Sequence, residues 1–257
     1  MSWREGELSI EGETFHYYRR GSGAPVLLAH GFGDNGRCWT RVAEALEAEF
    51  ELIAYDARGH GLSGGDANPN AAGDLASVVR ALELERPALI GHSMGASAVA
   101  RAAAKAPGAF ACAILEDPGW RSPDRAGAPR PPRPDYAAMS VDEIERAGRE
   151  RNPGWHDVEF RDWAESKKQL RATGLPPTSP EAWRDDVRGL EGLPVLLVTG
   201  DNALGAIVTP ETAAEAQRLC STLDVVRLSA GHNIRREAFG PFVEAVRAFL
   251  RRHCRAP

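Results

Sequence analysis

The 257-residue sequence contains no long apolar run and no block of like charges. No apolar run approaches the roughly 18 residues that a membrane-spanning helix needs. The opening stretch MSWREGELSIEGETF lacks the apolar centre of a signal peptide. The formal charge is only −5, and acidic and basic residues are interspersed, so the chain has no basic patch for nucleic acid. We therefore expect a cytoplasmic protein that binds neither membrane nor nucleic acid.

Cysteine is scarce, and the cysteines are spaced too widely to suggest a disulfide framework or a metal site. The four cysteines lie far apart, without a C-x-x-C pair: Cys38, Cys112, Cys220 and Cys254. This spacing indicates buried free thiols, not a disulfide framework or a zinc site. A chain of this length can bury a sufficient core without either. The sequence also shows no nucleotide-binding loop, so we expect no cofactor and no metal.

Short apolar runs alternate with helix-type runs along most of the chain. This alternation predicts an α/β fold with a mostly parallel, doubly wound sheet covered by helices on both faces. An antiparallel hairpin that turns at Glu11-Gly12 is expected to precede the parallel strands. The predicted strands are APVLLAHG, FELIAYDARG, ERPALIGHS, FACAILEDP, LPVLLVTGD and LDVVRLSAG. Helices are predicted near 39–48, 71–84, 94–106, 211–220 and 238–252.

The alternation stops between residues 119 and 193. Ten of the eighteen prolines fall between Pro118 and Pro180, and four of the six tryptophans also lie in this part of the chain. Its helix-type stretches, VDEIERAGRERN and VEFRDWAESKKQL, have no strand beside them. We predict a core formed by residues 1–118 and 194–257, with residues 119–193 inserted as a helical cap and not as an independent domain.

The stretch LIGHSMGASAVARAA places a G-x-S-x-G motif between an apolar strand and a helix of small residues. In that context the motif is typical of a nucleophile elbow, a tight bend that exposes a serine hydroxyl at the end of a sheet. Gly91 and Gly95 lie two residues on either side of Ser93, where side chains would collide. The N-terminus of the following helix would face an oxyanion that develops at the serine. A serine that only caps a helix is the alternative.

The elbow and three further segments resemble the α/β-hydrolase-fold serine hydrolases over nearly the whole chain. The other segments are HGFG at 30–33, DARGHGLS at 56–63 and Gly231-His232 near the C-terminus. The resemblance implies an oxyanion hole built from the backbone N–H groups of Phe32 and Met94. Glycines on both sides of Phe32 fit this role, because they let the main chain approach a substrate closely.

His232 is the predicted general base. The triad order of serine, acid and then histidine is met only by histidines near the C-terminus. His232 follows a strand and a glycine and precedes a helix, whereas His253 lies in the polar tail RRHCRAP.

The triad acid is less obvious. Most members of the family supply it three residues after the glycine that ends the penultimate strand, and here that position is Ala203. Asp117, which ends the preceding strand in LEDP, is the favoured candidate, since some relatives place their acid there. Asp201 is the first alternative, although an Asp directly after a strand often caps a turn. Glu116 is the second, although strand alternation sends it to the opposite side.

Tryptophans of the predicted cap could line a pocket over the site. Trp120, three residues after Asp117, and Trp155, in the loop RNPGWHD, are the candidates for the substrate pocket. Trp163 and Trp183 lie on helix-type stretches and are expected to form the core of the cap.

A serine nucleophile of this kind implies acyl transfer to water through an acyl-enzyme. Dehalogenases and epoxide hydrolases of this fold use an aspartate at the elbow, so Ser93 argues against both. We expect a hydrolase of a small hydrophobic carboxylic ester, with lactones or thioesters as variants. Two other classes stay open: a cofactor-free perhydrolase, oxygenase or C–C bond hydrolase, and a ligand sensor with slow turnover.

Overall fold

The computed structural model describes residues 2–66, 70–120, 134–174 and 181–254. Within these residues one eight-stranded sheet has the order β1-β2-β4-β3-β5-β6-β7-β8. The strands are β1 Arg4–Ile10, β2 Glu13–Gly21, β3 Ala24–Ala29, β4 Phe50–Tyr55, β5 Ala88–His92, β6 Ala113–Glu116, β7 Val195–Thr199 and β8 Leu223–Arg227. β2 pairs antiparallel with β1 and β4, and every other pairing is parallel. The predicted mostly parallel sheet is confirmed.

The helices cover both faces of the sheet. They are α1 Thr40–Leu46, α2 Ala71–Ala81, α3 Met94–Lys105, α4 Val141–Arg151, α5 Val158–Gln169, α6 Ala182–Arg188, α7 Pro210–Leu219, α8 Ile234–Glu237 and α9 Phe239–His253. The ends of the predicted core helices agree with these bounds to within three residues. No helix of the described ranges has the length and apolar character needed to cross a membrane.

Two buried clusters form on the two faces because strand side chains alternate. On β3, Leu27 packs with the cluster that contains residues of α2, α3, α6 and α7. Its neighbours Val26 and Leu28 pack with residues of α1 and α9 on the other face. The near-continuous apolar strands of the sequence are therefore covered on both sides, as a doubly wound sheet requires.

The predicted hairpin turns where expected. Glu11 and Gly12 have φ values of 53° and 82°, the left-handed backbone of a tight two-residue turn. The ladder continues to the pair Ile10–Glu13, directly beside the turn. β1 and β2 therefore form the antiparallel edge that precedes the parallel strands.

Part of the predicted cap has its own small core. α4 and α5 pack together around Ile144, Trp155, Phe160 and Trp163, and Cys38 joins them from the loop after β3. A side chain at Gly148 would come within 2.5 Å of the Trp163 ring, so the glycine permits this close helix pair.

The last helix of the predicted cap packs elsewhere. α6 lies against α3 and α7, and Trp183 joins the larger core cluster. Trp183 therefore does not contribute to the cap core, contrary to expectation, because α6 packs against α3 and α7. Its ring stacks on Trp120 at 5.3 Å. The proline-rich segments at 121–133 and 175–180 lie outside the described residues. The division into core and cap stays a prediction.

Candidate active site

Ser93 lies at a strained bend between β5 and α3. Its φ of 53° and ψ of −111° fall in a region that residues with a side chain rarely adopt. Its N–H donates to the Glu116 carbonyl on β6 at 2.9 Å, which fixes the bend to the end of the sheet. The backbone geometry is that of a nucleophile elbow.

The two glycines of the motif are sterically required. A Cβ on Gly91 would lie 2.5 Å from the Gly95 carbonyl oxygen, and a Cβ on Gly95 would lie 2.2 Å from the Ala29 carbonyl oxygen. Both distances are far below van der Waals contact. The G-x-S-x-G pattern therefore follows from the tightness of the bend.

Asp117 and His232 are in contact. Asp117 Oδ2 lies 2.6 Å from His232 Nδ1, although 115 residues separate them in the sequence. The carboxylate is fully buried, whereas the His232 side chain is 30% exposed. The imidazole is thus oriented by a buried carboxylate through Nδ1, one of its two ring nitrogens.

Two backbone donors hold the Asp117 carboxylate. Ile207 N–H donates to Oδ2 at 2.8 Å, and Val208 N–H donates to Oδ1 at 2.9 Å. Asp117 itself has a φ of 39°, in the left-handed region. These bonds restrict rotation of the carboxylate and hold one oxygen against the imidazole.

The two alternative acids make other contacts. The Asp201 side chain accepts from Ala203 N–H at 2.9 Å and caps the short 3₁₀ helix after β7, which is the turn-capping role considered for it. Glu116 is fully buried and accepts from the Arg235 backbone N–H at 2.8 Å and from its guanidinium at 3.2 Å. Among the described residues neither carboxylate makes a hydrogen bond to His232.

The loop after β3 lies beside the elbow. A Cβ on Gly31 would lie 3.4 Å from Ser93 Cβ, so the main chain next to Phe32 passes close to the serine. Met94 is the first residue of α3, and the first N–H groups of a helix have no partner within it. Both candidate oxyanion donors therefore lie on main chain next to Ser93, and their function stays a prediction.

His92 connects the elbow to the loop that carries His232. Its Nε2–H donates to the His232 carbonyl at 3.0 Å, and the two rings lie 4.7 Å apart. Burial, together with the positive charges of Arg235 and His232, holds the pKa of His92 well below its usual value. His92 is therefore a neutral ring that supports the loop of the predicted base.

Within the described ranges Ser93 Oγ makes no hydrogen bond to His232. The structure thus joins acid and base directly, and it places the elbow beside them through His92.

The two tryptophans predicted for the pocket are buried. Trp120 is 2% exposed and stacks on Trp183. Trp155 is 8% exposed and packs on Phe160 and Trp163. A pocket function for either one stays a prediction.

Sequence reasoning missed a buried cluster of charges next to the site. The Asp34 carboxylate accepts from Lys167 at 2.9 Å, from Arg235 at 2.8 Å and from Arg236 at 3.1 Å. Burial opposes ionisation of Asp34, but the three cations hold its pKa well below the usual range. Arg235 and Arg236 follow His232 closely in the sequence, and this pair of arginines was the only sequence feature that indicated the cluster. We call these four residues the Asp34 cluster.

Comparison with known proteins agrees with this architecture. The model of the alpha/beta hydrolase family matches residues 26–249. N-formylmaleamate deformylase of Pseudomonas putida is 31% identical, over 95% of this chain and 96% of its own. 2-(Acetamidomethylene)succinate hydrolase of Mesorhizobium japonicum is 30% identical, over 83% of this chain and 82% of its own.

A solved structure shows the same fold. The crystal structure of E-2-(acetamidomethylene)succinate hydrolase superposes with a TM-score of 0.79 and 25% identity, and the match covers 97% of this chain and all of that one. The matches in sequence and structure both extend over most of the chain. The chain belongs to the alpha/beta hydrolase family.

Proposed function

We propose that this protein is a serine hydrolase that cleaves the acyl–nitrogen bond of a small N-acyl compound through an acyl-enzyme. The observation that carries the proposal is the 2.6 Å contact between Asp117 and His232 next to the strained Ser93 elbow. An imidazole oriented by a buried carboxylate, with a serine on a sharp bend nearby, is the arrangement that acyl transfer requires.

In the proposed reaction Ser93 Oγ attacks the substrate carbonyl carbon while His232 Nε2 takes the hydroxyl proton. Asp117 holds the ring and stabilises its charged form. The backbone N–H groups of Phe32 and Met94 stabilise the oxyanion. His232 then gives the proton to the departing nitrogen, and a water activated by the same ring hydrolyses the acyl-enzyme and frees Ser93.

The choice of an amide substrate is supported by the relatives. N-formylmaleamate and 2-(acetamidomethylene)succinate, the compounds in their names, each carry an N-acyl group on a small carboxylic acid. The sequence alone predicts a hydrophobic carboxylic ester as the substrate. Esters, lactones and thioesters pass through the same acyl-enzyme, so they are the competing substrate classes.

A panel of paired substrates tests the proposal. Each N-formyl or N-acetyl amide is assayed beside the ester with the same acyl group, with and without a carboxylate on the leaving part. We expect turnover of amides that carry a carboxylate, and at least 10⁴-fold less activity in Ser93→Ala, on the order of the loss of a triad member. Phenylmethylsulfonyl fluoride should label the peptide that contains Ser93.

Three results would contradict parts of the proposal. Turnover of apolar esters, without turnover of amides, would identify the enzyme as an esterase. Full activity in Ser93→Ala would exclude the acyl-enzyme. Stoichiometric retention of a ligand without turnover would identify a sensor.

A further inference from the structure

Lys167 of α5 contacts the loop that carries Phe32. Its ammonium donates to the Gly33 carbonyl at 2.5 Å and to Asp34 Oδ1 at 2.9 Å. The Lys167 side chain is only 9% exposed, and that of Asp34 is 7% exposed. A charged residue of the predicted cap is therefore buried against the residues that directly follow Phe32.

The same loop forms a closed turn around Phe32. Asp34 N–H donates to the Gly31 carbonyl at 3.1 Å, so Phe32 and Gly33 are the two central residues of the turn. Gly33 has a φ of 80°, which suits the second central position. Lys167 holds both the carbonyl of Gly33 and the side chain of Asp34, and it thereby fixes the orientation of the turn.

The Asp34 cluster also reaches the loops of the predicted acid and base. Arg235 and Arg236 bind Asp34 Oδ2 and lie three and four residues after His232. The Arg235 guanidinium and backbone N–H bind Glu116, which directly precedes Asp117. One buried network therefore touches residues next to Phe32, Asp117 and His232.

A buried network of charges fixes the positions of the residues that it joins, but it adds little to the free energy of unfolding. Buried ion pairs pay a large desolvation cost, and apolar replacements often leave the stability of a protein unchanged or raise it. Burial lowers the pKa of Lys167, which reflects this cost, while Asp34 opposes the shift. The contacts of Lys167 with Gly33 and Asp34 nevertheless restrict the turn that carries Phe32.

We propose that Lys167 is a positioning residue that sets the orientation of the Phe32 N–H in the oxyanion hole, so that α5 acts on the chemical step. This inference rests on the proposed function. In this proposal a residue of the predicted cap influences the rate of the chemical step and not only access to the site. Lys167 acts through Gly33 and Asp34 and does not itself touch the reacting atoms.

Lys167→Met is the test, with Lys168→Met as its matched control. Methionine keeps an unbranched apolar chain that is one atom shorter and removes the charge, while Asp34 keeps both arginines. We expect kcat to fall about 10- to 100-fold and KM to change less than about threefold, because a displaced oxyanion donor weakens transition-state binding alone. Lys168 is the next residue on α5, donates to the Ala137 carbonyl in an exposed position, and should give wild-type rates.

A boronic acid supplies a second readout. It forms a tetrahedral anion on an active-site serine and so mimics the transition state. Its affinity should fall in Lys167→Met by the same factor as kcat/KM, whereas the affinity for a planar product should stay the same. A merely structural lysine would lower the amount of folded enzyme without this divergence.

The outcomes separate the two proposals. If Ser93→Ala retains activity, the proposed function fails. If Ser93→Ala is inactive but Lys167→Met matches Lys168→Met, or if only KM rises, the positioning inference fails alone. Should Lys167→Met not fold, Lys167→Gln takes its place. This variant removes the charge but keeps a polar side chain, and it must lower kcat several-fold with KM nearly unchanged for the inference to stand.

Discussion

Val208 N–H donates to Asp117 Oδ1 at 2.9 Å across 91 residues of sequence. The loop after β7, where most members of the family carry the triad acid, here supplies backbone donors to an acid from β6. The carboxylate is thus held from two sides, by main chain on one and by the His232 ring on the other. The parallel strands β6 and β7 end at the same edge of the sheet, so a carboxylate that follows β6 reaches the same imidazole as one that would follow β7.

Asp117→Asn should lower kcat by about 10⁴-fold while the protein stays folded, because an amide no longer fixes the imidazole tautomer. Asp201→Asn is the matched control, since that carboxylate caps a turn and its side chain is 44% exposed. It should retain nearly full activity. Steady-state kinetics, with circular dichroism to check the fold, measures both variants. An active Asp117→Asn together with an inactive Asp201→Asn would place the triad acid in the other loop.

Ser93→Gly should be more stable than Ser93→Ala, although both should be inactive. Glycine adopts the Ser93 backbone conformation freely, whereas any side chain there stores on the order of 1–3 kcal/mol of strain. Glycine also raises the conformational entropy of the unfolded chain, which offsets part of this stabilisation. We therefore expect a net difference of about 1 kcal/mol in the free energy of unfolding. Urea unfolding of the two variants measures it. Equal stability would mean that the strain at the bend is no larger than the entropic cost of glycine.

Gly95→Ala should destabilise the fold by roughly 3 kcal/mol, the cost of overpacking a tight site. The new methyl group would lie 2.2 Å from the carbonyl oxygen of Ala29 on β3, a strand paired on both sides with β4 and β5. Gly108→Ala is the control, because a methyl group there meets nothing within 4 Å. Its effect should stay within about 0.5 kcal/mol. If thermal unfolding shows a similar loss of stability for both variants, a methyl group at position 95 is accommodated without a steric clash.

Most of the architecture could be predicted from the sequence because it depends on local patterns. Apolar runs, the turn at Glu11-Gly12 and the small residues around Ser93 each specify their own backbone. The acid candidate Asp117 also follows from its position at a strand end, since parallel strands deliver their carboxyl ends to one edge.

Contacts between distant segments could not be predicted in the same way. Lys167 and Asp34 are separated by 133 residues, and nothing in either neighbourhood marks them as partners. The stacking of Trp183 on Trp120 likewise depends on where α6 packs, which composition does not specify. A helix-type stretch predicts a helix, but the surface on which it docks is decided by the whole fold.

Acid should destabilise the protein before its carboxylates are protonated, because buried histidines favour the neutral form. Burial lowers the pKa of His60 to about 4 and that of His30 to about 3, and the two rings lie 5.1 Å apart. The unfolded chain binds these protons near the ordinary value of 6.5. The stabilisation is therefore complete above pH 6.5 and is lost as the pH falls toward 4 and then 3.

His60→Gln isolates one of these protons. Glutamine can still donate to the Arg58 carbonyl, which His60 Nδ1 contacts at 2.8 Å, but it does not titrate. The drop in unfolding free energy between pH 7 and pH 5 should shrink by about 2 kcal/mol in this variant. Burial raises the pKa of Glu116, which acts in the opposite direction, but that effect is the same in both proteins and cancels in the comparison. Identical pH profiles from urea unfolding would show that His60 binds its proton at the same pH in the folded and the unfolded chain.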